Sequence, residues 1–249
     1  MGRLILYLLA VLISYCLSDD WLLDQTKFKT TFSKISDHRW SLSNGIVERI
    51  FTVQPNFGTL DLYSHERQES LLRAFSPEAE LVFYHQDDTE VPVTVGGFCA
   101  NMTRGYLNRT GLELERLAGT VFVYHGHQLS NISSDIEWSA MRGAPASAVW
   151  PPPGLHLDVT MVVDTNDVII AQLLANVEVH VHYHMYDGLP LIAKWITIAC
   201  THECPHLGVK IINVDQLAVN LEWSPQRLGG EDWLQVIVML VTFVKGHLV

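Results

Sequence analysis

From Trp40 onward the chain repeats one habit: short runs in which apolar and polar residues alternate, separated by Gly, Pro, Asn and Asp. A period of two is the pattern of a strand with one buried face, and the punctuation is that of turns. SLSNGIVERIFTV (41–53) sets Asn44-Gly45 between two such runs. That pair predicts a tight hairpin, because both residues tolerate positive φ. GTLDLYS (58–64), ELVFYH (80–85), VPVTVGGF (91–98), TVFVYHGH (120–127) and LHLDVTMVVD (155–164) continue the pattern. VEVHVHYHMYDG (177–188), PLIAKWITIAC (190–200) and VKIINVDQLAVNLEW (209–223) close it. Trp150-Pro151-Pro152-Pro153-Gly154 is a stiff connector with no strand capacity. One stretch has helical spacing instead: SHERQESLLRAF (64–75) puts Leu71, Leu72 and Phe75 on one side, and Pro77 would stop it. Strand after strand with few helices predicts an all-β protein, a large two-sheet antiparallel β-sandwich or a barrel.

The two ends break the pattern. Arg3 is followed by the apolar run LILYLLAVLISYCL (4–17), then by Ser18, Asp19 and Asp20. Cys16 and Ser18 occupy the −3 and −1 positions of a cleavage site before Asp19, so residues 1–18 read as a signal peptide. The run falls short of the ~20 residues a membrane-spanning helix needs. Residues 19–39 are a polar leader and 40–223 the sandwich domain. Residues 224–249 are a linker, SPQRLGGED (224–232), and an apolar tail, WLQVIVMLVTFV (233–244). The tail is either a last strand or a segment outside the core, and its abrupt change of composition favours the second.

Composition narrows the class. The 249 residues are 48% hydrophobic and 17% charged with a net charge of −11, which is globular rather than disordered. Only 16 Lys and Arg are present, so the basic footprint of a nucleic-acid binder is missing, as is a basic stripe for an anionic membrane. A secreted destination makes three sequons candidate glycan acceptors: Asn101-Met102-Thr103, Asn108-Arg109-Thr110 and Asn131-Ile132-Ser133. It also makes disulfide candidates of Cys99, Cys200 and Cys204, since cleavage removes Cys16. Three is odd, so a Cys200–Cys204 bridge or a bond from one of them to Cys99 leaves one thiol over.

The densest candidate chemistry lies in EVHVHYHMYDG (178–188). On a strand, His180, His182 and His184 share one face, and Val179, Val181, Tyr183 and Met185 share the other. Two such histidines can hold zinc if another strand supplies a third ligand. Three in line span ~13 Å at ~3.3 Å per residue, too far for one ion. The same alternation is what any half-buried strand shows, so the solvent-facing reading is favoured and His180 and His182 stay minor metal candidates. CTHECPH (200–206) crowds Cys200, His202, Cys204 and His206, but structural zinc pairs two knuckles and here there is one. No G-x-S-x-G, H-E-x-x-H, P-loop or G-x-G-x-x-G occurs. Asp61, Glu66, Glu78 and Asp187 are candidates for a hydrolytic carboxylate pair. Asp187-Gly188 reads better as a turn, with Pro190 opening the next strand. Trp40, Trp150, Trp195 and Trp223 suit either sugar stacking or core packing, and packing is the commoner use.

Two stretches carry a resemblance. SNGIVERIFTVQPNFGTLDLYSHERQESLLRAFSPEAEL (43–81) resembles the opening of the N-terminal β-supersandwich domain of alpha-galactosidase-like (melibiase-type) glycoside hydrolases. HYHMYDGLPLIAKWITI (182–198) and VKIINVDQLAVNLEW (209–223) resemble the late strands of that domain, so the likeness spans residues 41–223. It implies a galactose-mutarotase-like sandwich. In the family a (β/α)₈ barrel follows and carries the catalytic aspartates. This chain stops about where the barrel would begin, so no catalytic residue carries over. The expectation is a secreted, non-catalytic accessory sandwich that binds carbohydrate or a glycoprotein, without a cofactor and without a membrane span in its mature form. The alternatives are a metal-dependent enzyme using His180 and His182, a fragment of a longer glycosidase-like protein, or an interaction protein tethered by its apolar ends.

Overall fold

The computed structural model describes residues 24–84, 90–100, 113–134, 139, 142, 149–202, 207–214, 218–219 and 241–246. Two large sheets account for most of them. The first has five strands in sequence order: β1 (Thr31–Ser36), β2 (Arg39–Ser43), β3 (Val47–Thr52), β4 (Gly58–Ser64) and β5 (Glu69–Ser70). All of its pairings are antiparallel. Two short ladders flank the large sheets: β6 (Leu72–Ala74) with β16 (Ala218–Val219), and β9 (Phe98–Ala100) with β10 (Leu114–Arg116). The second large sheet has eight strands. They run in the order β15 (Gly208–Asn213), β7 (Ala79–Tyr84), β8 (Glu90–Val95), β11 (Thr120–Asn131), β12 (Gly154–Val163), β13 (Val177–Tyr186), β14 (Ile192–Cys200) and β17 (Val241–Gly246). Only β8–β11 and β14–β17 pair in parallel. The fold is therefore the expected all-β, mostly antiparallel sandwich.

Period-two alternation builds the interface between the sheets. Val179, Val181, Tyr183 and Met185 of β13 are fully buried. Phe51 of β3 and Phe57 come from the other sheet, their ring centroids 4.9 and 6.2 Å from that of Tyr183. Polar ties fix how the two sheets sit. Asn44 takes the hairpin turn with its Oδ1 accepting from the amides of Ile46 and Val47. Its Nδ2 donates across to the carbonyls of Tyr186 and Leu189, at 2.8 and 2.7 Å. Asp187 and Gly188 form the expected turn after β13. The Asp187 carboxylate accepts from the Thr30 amide and from Lys29 Nζ, at 2.8 and 3.1 Å. Gly188, at φ +66°, donates to the Phe28 carbonyl at 2.7 Å.

Three local expectations fail. SHERQESLLRAF is not a helix: Ser64 ends β4, a turn follows, and β5 and β6 come next. Ser64 Oγ accepts the Arg67 amide, Gln68 takes φ +53°, and Leu71 donates to the Leu62 carbonyl, so the backbone bonds go to a hairpin. Strand structure begins before Trp40, because β1 lies within the polar leader and pairs with β2. Finally, β17 falls in the tail expected to stand outside the core. It runs parallel to β14 with Trp195 opposite Phe243, filling backbone hydrogen bonds that β14 would otherwise leave open at an edge. Among the described residues the helical content is one 3-10 turn, Gln25–Lys27, and one short helix, Val168–Leu173, capped by the Asp167 carboxylate.

Candidate functional site: a histidine-lined outer face

Of the carboxylates put forward for hydrolysis, Glu78 is the most deeply buried. Glu78, at the head of β7, is 1% exposed and lies between the sheets. Its Oε1 accepts from the amide and hydroxyl of Thr59, at 2.7 and 3.0 Å. Its Oε2 accepts from Lys194 Nζ at 2.5 Å and from the Tyr183 hydroxyl, with Arg49 Nη2 at 3.6 Å. Burial works to raise this carboxyl, but Lys194 and Arg49 with the hydrogen bonds outweigh it and hold its pKa down at about 2. It stays ionised as a structural counter-ion. Asp61 is buried and accepts from the Ser70 hydroxyl at 2.5 Å. Asp187 is engaged by Lys29 and Thr30, and Glu66 is exposed on the turn after β4. Glu78, Asp61 and Asp187 are each held by hydrogen bonds to neighbouring groups of the fold.

The histidines do gather. On β13 the alternation is as expected, with His180, His182 and His184 turned away from the core. Neighbouring strands place more groups on that face. Across β12, His156 stands opposite His184, Asp158 opposite His182 and Thr160 opposite His180. Across β14, Trp195 stands opposite His182 and Thr197 opposite His180. The rings pack with one another. The His182 and Trp195 centroids are 4.9 Å apart with planes 16° from parallel, and those of His156 and Trp195 are 5.5 Å apart at 24°. His184 meets Trp195 edge-on at 4.4 Å. The cover is dense enough that His182 is only 9% exposed, so the face is a packed layer rather than a row of freely hydrated side chains.

A line of polar contacts crosses four strands within this layer. The Ser130 hydroxyl lies 3.4 Å from His156 Nδ1, and His156 Nε2 lies 3.0 Å from His182 Nδ1. His182 Nε2 lies 3.0 Å from the Thr197 hydroxyl. Beside the line, Asp158 Oδ1 is 3.1 Å from His180 Nδ1 and 3.6 Å from His182 Nδ1. The hydrogen bond to Asp158 raises the pKa of His180 above the ordinary histidine value, against the opposing effect of burial. For Asp158, burial pushes upward, but the His180 hydrogen bond and the surrounding imidazoles bring the carboxyl below its usual range. Glu178 Oε2 adds a second carboxylate 3.7 Å from His180 Nε2.

His156, Asp158, Thr197 and Ser130 were not singled out from the sequence. The alternation in LHLDVT does place His156 and Asp158 on one face, but which strand lies beside β13 is a matter of topology. Among the described residues no three His, Cys, Asp or Glu side chains are placed to hold a metal ion, so the pair His180 and His182 gains no metal centre from its neighbours. Cys99 is a free thiol whose Sγ is directed to the Glu115 and Arg116 carbonyls, which removes it from the disulfide candidates. Cys200 ends β14 and His202 follows it, while Cys204 and His206 lie outside the described residues. So do Ser18 and Asp19, where signal cleavage is expected, and Cys16, Asn101, Asn108, Trp223 and residues 224–240. Asn131 is exposed at the end of β11. Trp40 is 3% exposed in the core, and Trp150 is exposed with its indole donating to Ser134 Oγ at 2.7 Å. Among the described residues no helix is long and apolar enough to cross a membrane. Comparison with protein-family models, curated proteins and solved structures finds no match to this chain.

Proposed function

We propose that this is a secreted, glycosylated β-sandwich that binds carbohydrate without hydrolysing it, related to the accessory domains of glycoside hydrolases. The observation that supports this reading is the outer face of β12–β14. Imidazole edges, an indole, two hydroxyls and a carboxylate form one continuous surface, whereas the buried carboxylates serve the fold. A saccharide presents many hydroxyls, each both donor and acceptor. Imidazole nitrogens, Ser and Thr hydroxyls and Asp158 are complementary to it. Binding surfaces of this kind combine rings with a few fixed polar groups. The sequence pattern of residues 1–18 and the exposed sequon at Asn131 fit passage through a secretory pathway.

The test is a titration of the purified protein with a panel of neutral and acidic oligosaccharides, followed by calorimetry. Binding is expected for at least one class, reduced tenfold or more by His184→Ala or Trp195→Ala. No binding at millimolar saccharide, or turnover of aryl glycosides by the purified chain, would overturn the reading. Mass spectrometry of secreted material supplies a second check: an N-terminus at Asp19, and a glycan mass lost on Asn131→Gln.

A further inference from the structure

The contact between His156 and His182 has a consequence that does not depend on any ligand. The neutral pair has four ring nitrogens and two N–H protons. His156 Nε2 and His182 Nδ1 are 3.0 Å apart, so a hydrogen bond between them takes up one of these protons in either tautomer. A third proton has a place to go. It sits on an outer nitrogen, His156 Nδ1 or His182 Nε2, where Ser130 Oγ or Thr197 Oγ1 accepts it. The pair then carries one positive charge and keeps its contact. A fourth proton has no such place, because both facing nitrogens would carry N–H and both rings a charge.

The surroundings set the balance. From β12, Asp158 faces the pair, with Oδ1 3.6 Å from His182 Nδ1. From β13 come His180 and His184, with Glu178 beyond them against His180. From β11 the outward neighbours are Gln128 and Ser130, and from β14 Trp195 and Thr197, none of which titrates in the acid range. In the strand beyond, Lys245 stands opposite Thr197 in register. Among the described residues, the Asp158 carboxylate lies close enough to favour the first charge. The second charge meets the first ring, and His180 as a third cation at a centroid distance of 6.0 Å from His182. Like charges at this separation disfavour each other.

We propose that His156 and His182 form a two-step proton switch on the outer face: the pair holds its contact through one added proton and breaks it on the second, rearranging the surface around Trp195. The consequence for a saccharide rests on the reading of this face as a binding surface, where acidification would release the ligand. The switch itself does not rest on that reading.

The experiment is an NMR pH titration of the full chain from pH 8 to 4, following the ring signals of every histidine by long-range nitrogen–proton correlation, with no saccharide present. The expected result is that His156 and His182 share two steps separated by more than one pH unit. The indole N–H of Trp195 should shift with the second step only. His156→Gln should leave His182 with a single step, and Asp158→Asn should move the first step to lower pH. Independent single-step titration of the two rings, or an unchanged His182 curve in His156→Gln, would overturn the switch. Failure to bind any saccharide leaves these curves as they are, so the two ideas fail separately.

Discussion

The carboxylate of Glu78 is the group whose removal should cost the fold most. It sits between the sheets, 1% exposed, and the side chains of Arg49 and Lys194 that face it are 0% and 1% exposed. Glu78→Gln keeps the shape but withdraws the negative charge, leaving two buried cations facing a neutral amide. Breaking a buried pair by removing one partner costs about 3–5 kcal/mol. The depressed pKa gives a second figure. The carboxyl is held at about 2 rather than its ordinary 4.5. At about 1.4 kcal/mol per pH unit, that difference of roughly 2.5 amounts to about 3 kcal/mol of stability. Because the folded-state value is depressed, the contribution is fully present above pH ~4.5 and is lost as pH falls toward ~2. Urea unfolding of the wild type and Glu78→Gln at pH 7 and at steps down to pH 2.5 measures it. The gap should be about 3 kcal/mol at pH 7 and shrink through that window. A gap below about 1 kcal/mol at neutral pH, or one that does not change with pH, would refute the claim that the ionised carboxylate stabilises the sandwich.

Other substitutions probe single contacts. Asn44→Ala removes both donors to the Tyr186 and Leu189 carbonyls and the acceptor for the turn amides. A loss of about 2–4 kcal/mol in urea unfolding is expected. Gly188→Ala should destabilise by at least about 1–2 kcal/mol, since a Cβ is disfavoured at positive φ. That Cβ would also lie 2.6 Å from Gln25 Cβ and 2.9 Å from its carbonyl. An unchanged melting temperature would count against the turn geometry. Trp40 has a buried indole N–H with no acceptor among the described residues. Trp40→Phe deletes that donor, whose desolvation costs about 1–3 kcal/mol, and so should lose less than about 1 kcal/mol in all. A loss above about 3 kcal/mol would show that the indole contributes more through packing with Phe32, Tyr124 and His127 than that offset allows.

How much of this was legible in the sequence follows from the range of the interactions. The hairpin at Asn44-Gly45, the turn at Asp187-Gly188 and the two faces of β13 come from residues within a few positions of each other. Period two and the φ preferences of Asn, Asp and Gly suffice to specify them. SHERQESLLRAF shows where local pattern misleads. Its apolar spacing suits a helix, but the edge of β4 offers backbone partners that override the preference. The tail misled in the opposite way: its composition suggested a segment apart, whereas β17 pairs in parallel beside β14.

The sequence by itself determined that the chain alternates, that it turns where Asn, Asp and Gly allow, and that three histidines share one side of a strand. Tertiary structure alone decided what surrounds them. Glu78, Arg49 and Lys194 are far apart in the chain and meet only because two sheets close on each other, where low polarity makes a lone charge costly and a matched one stable. His156 and Asp158 face β13 because β12 is its neighbour in the sheet, and Trp195 and Thr197 because β14 is the other. Strand order is set by packing of the whole core rather than by any one segment. For that reason the pairing of His156 with His182 has no signature in the linear sequence.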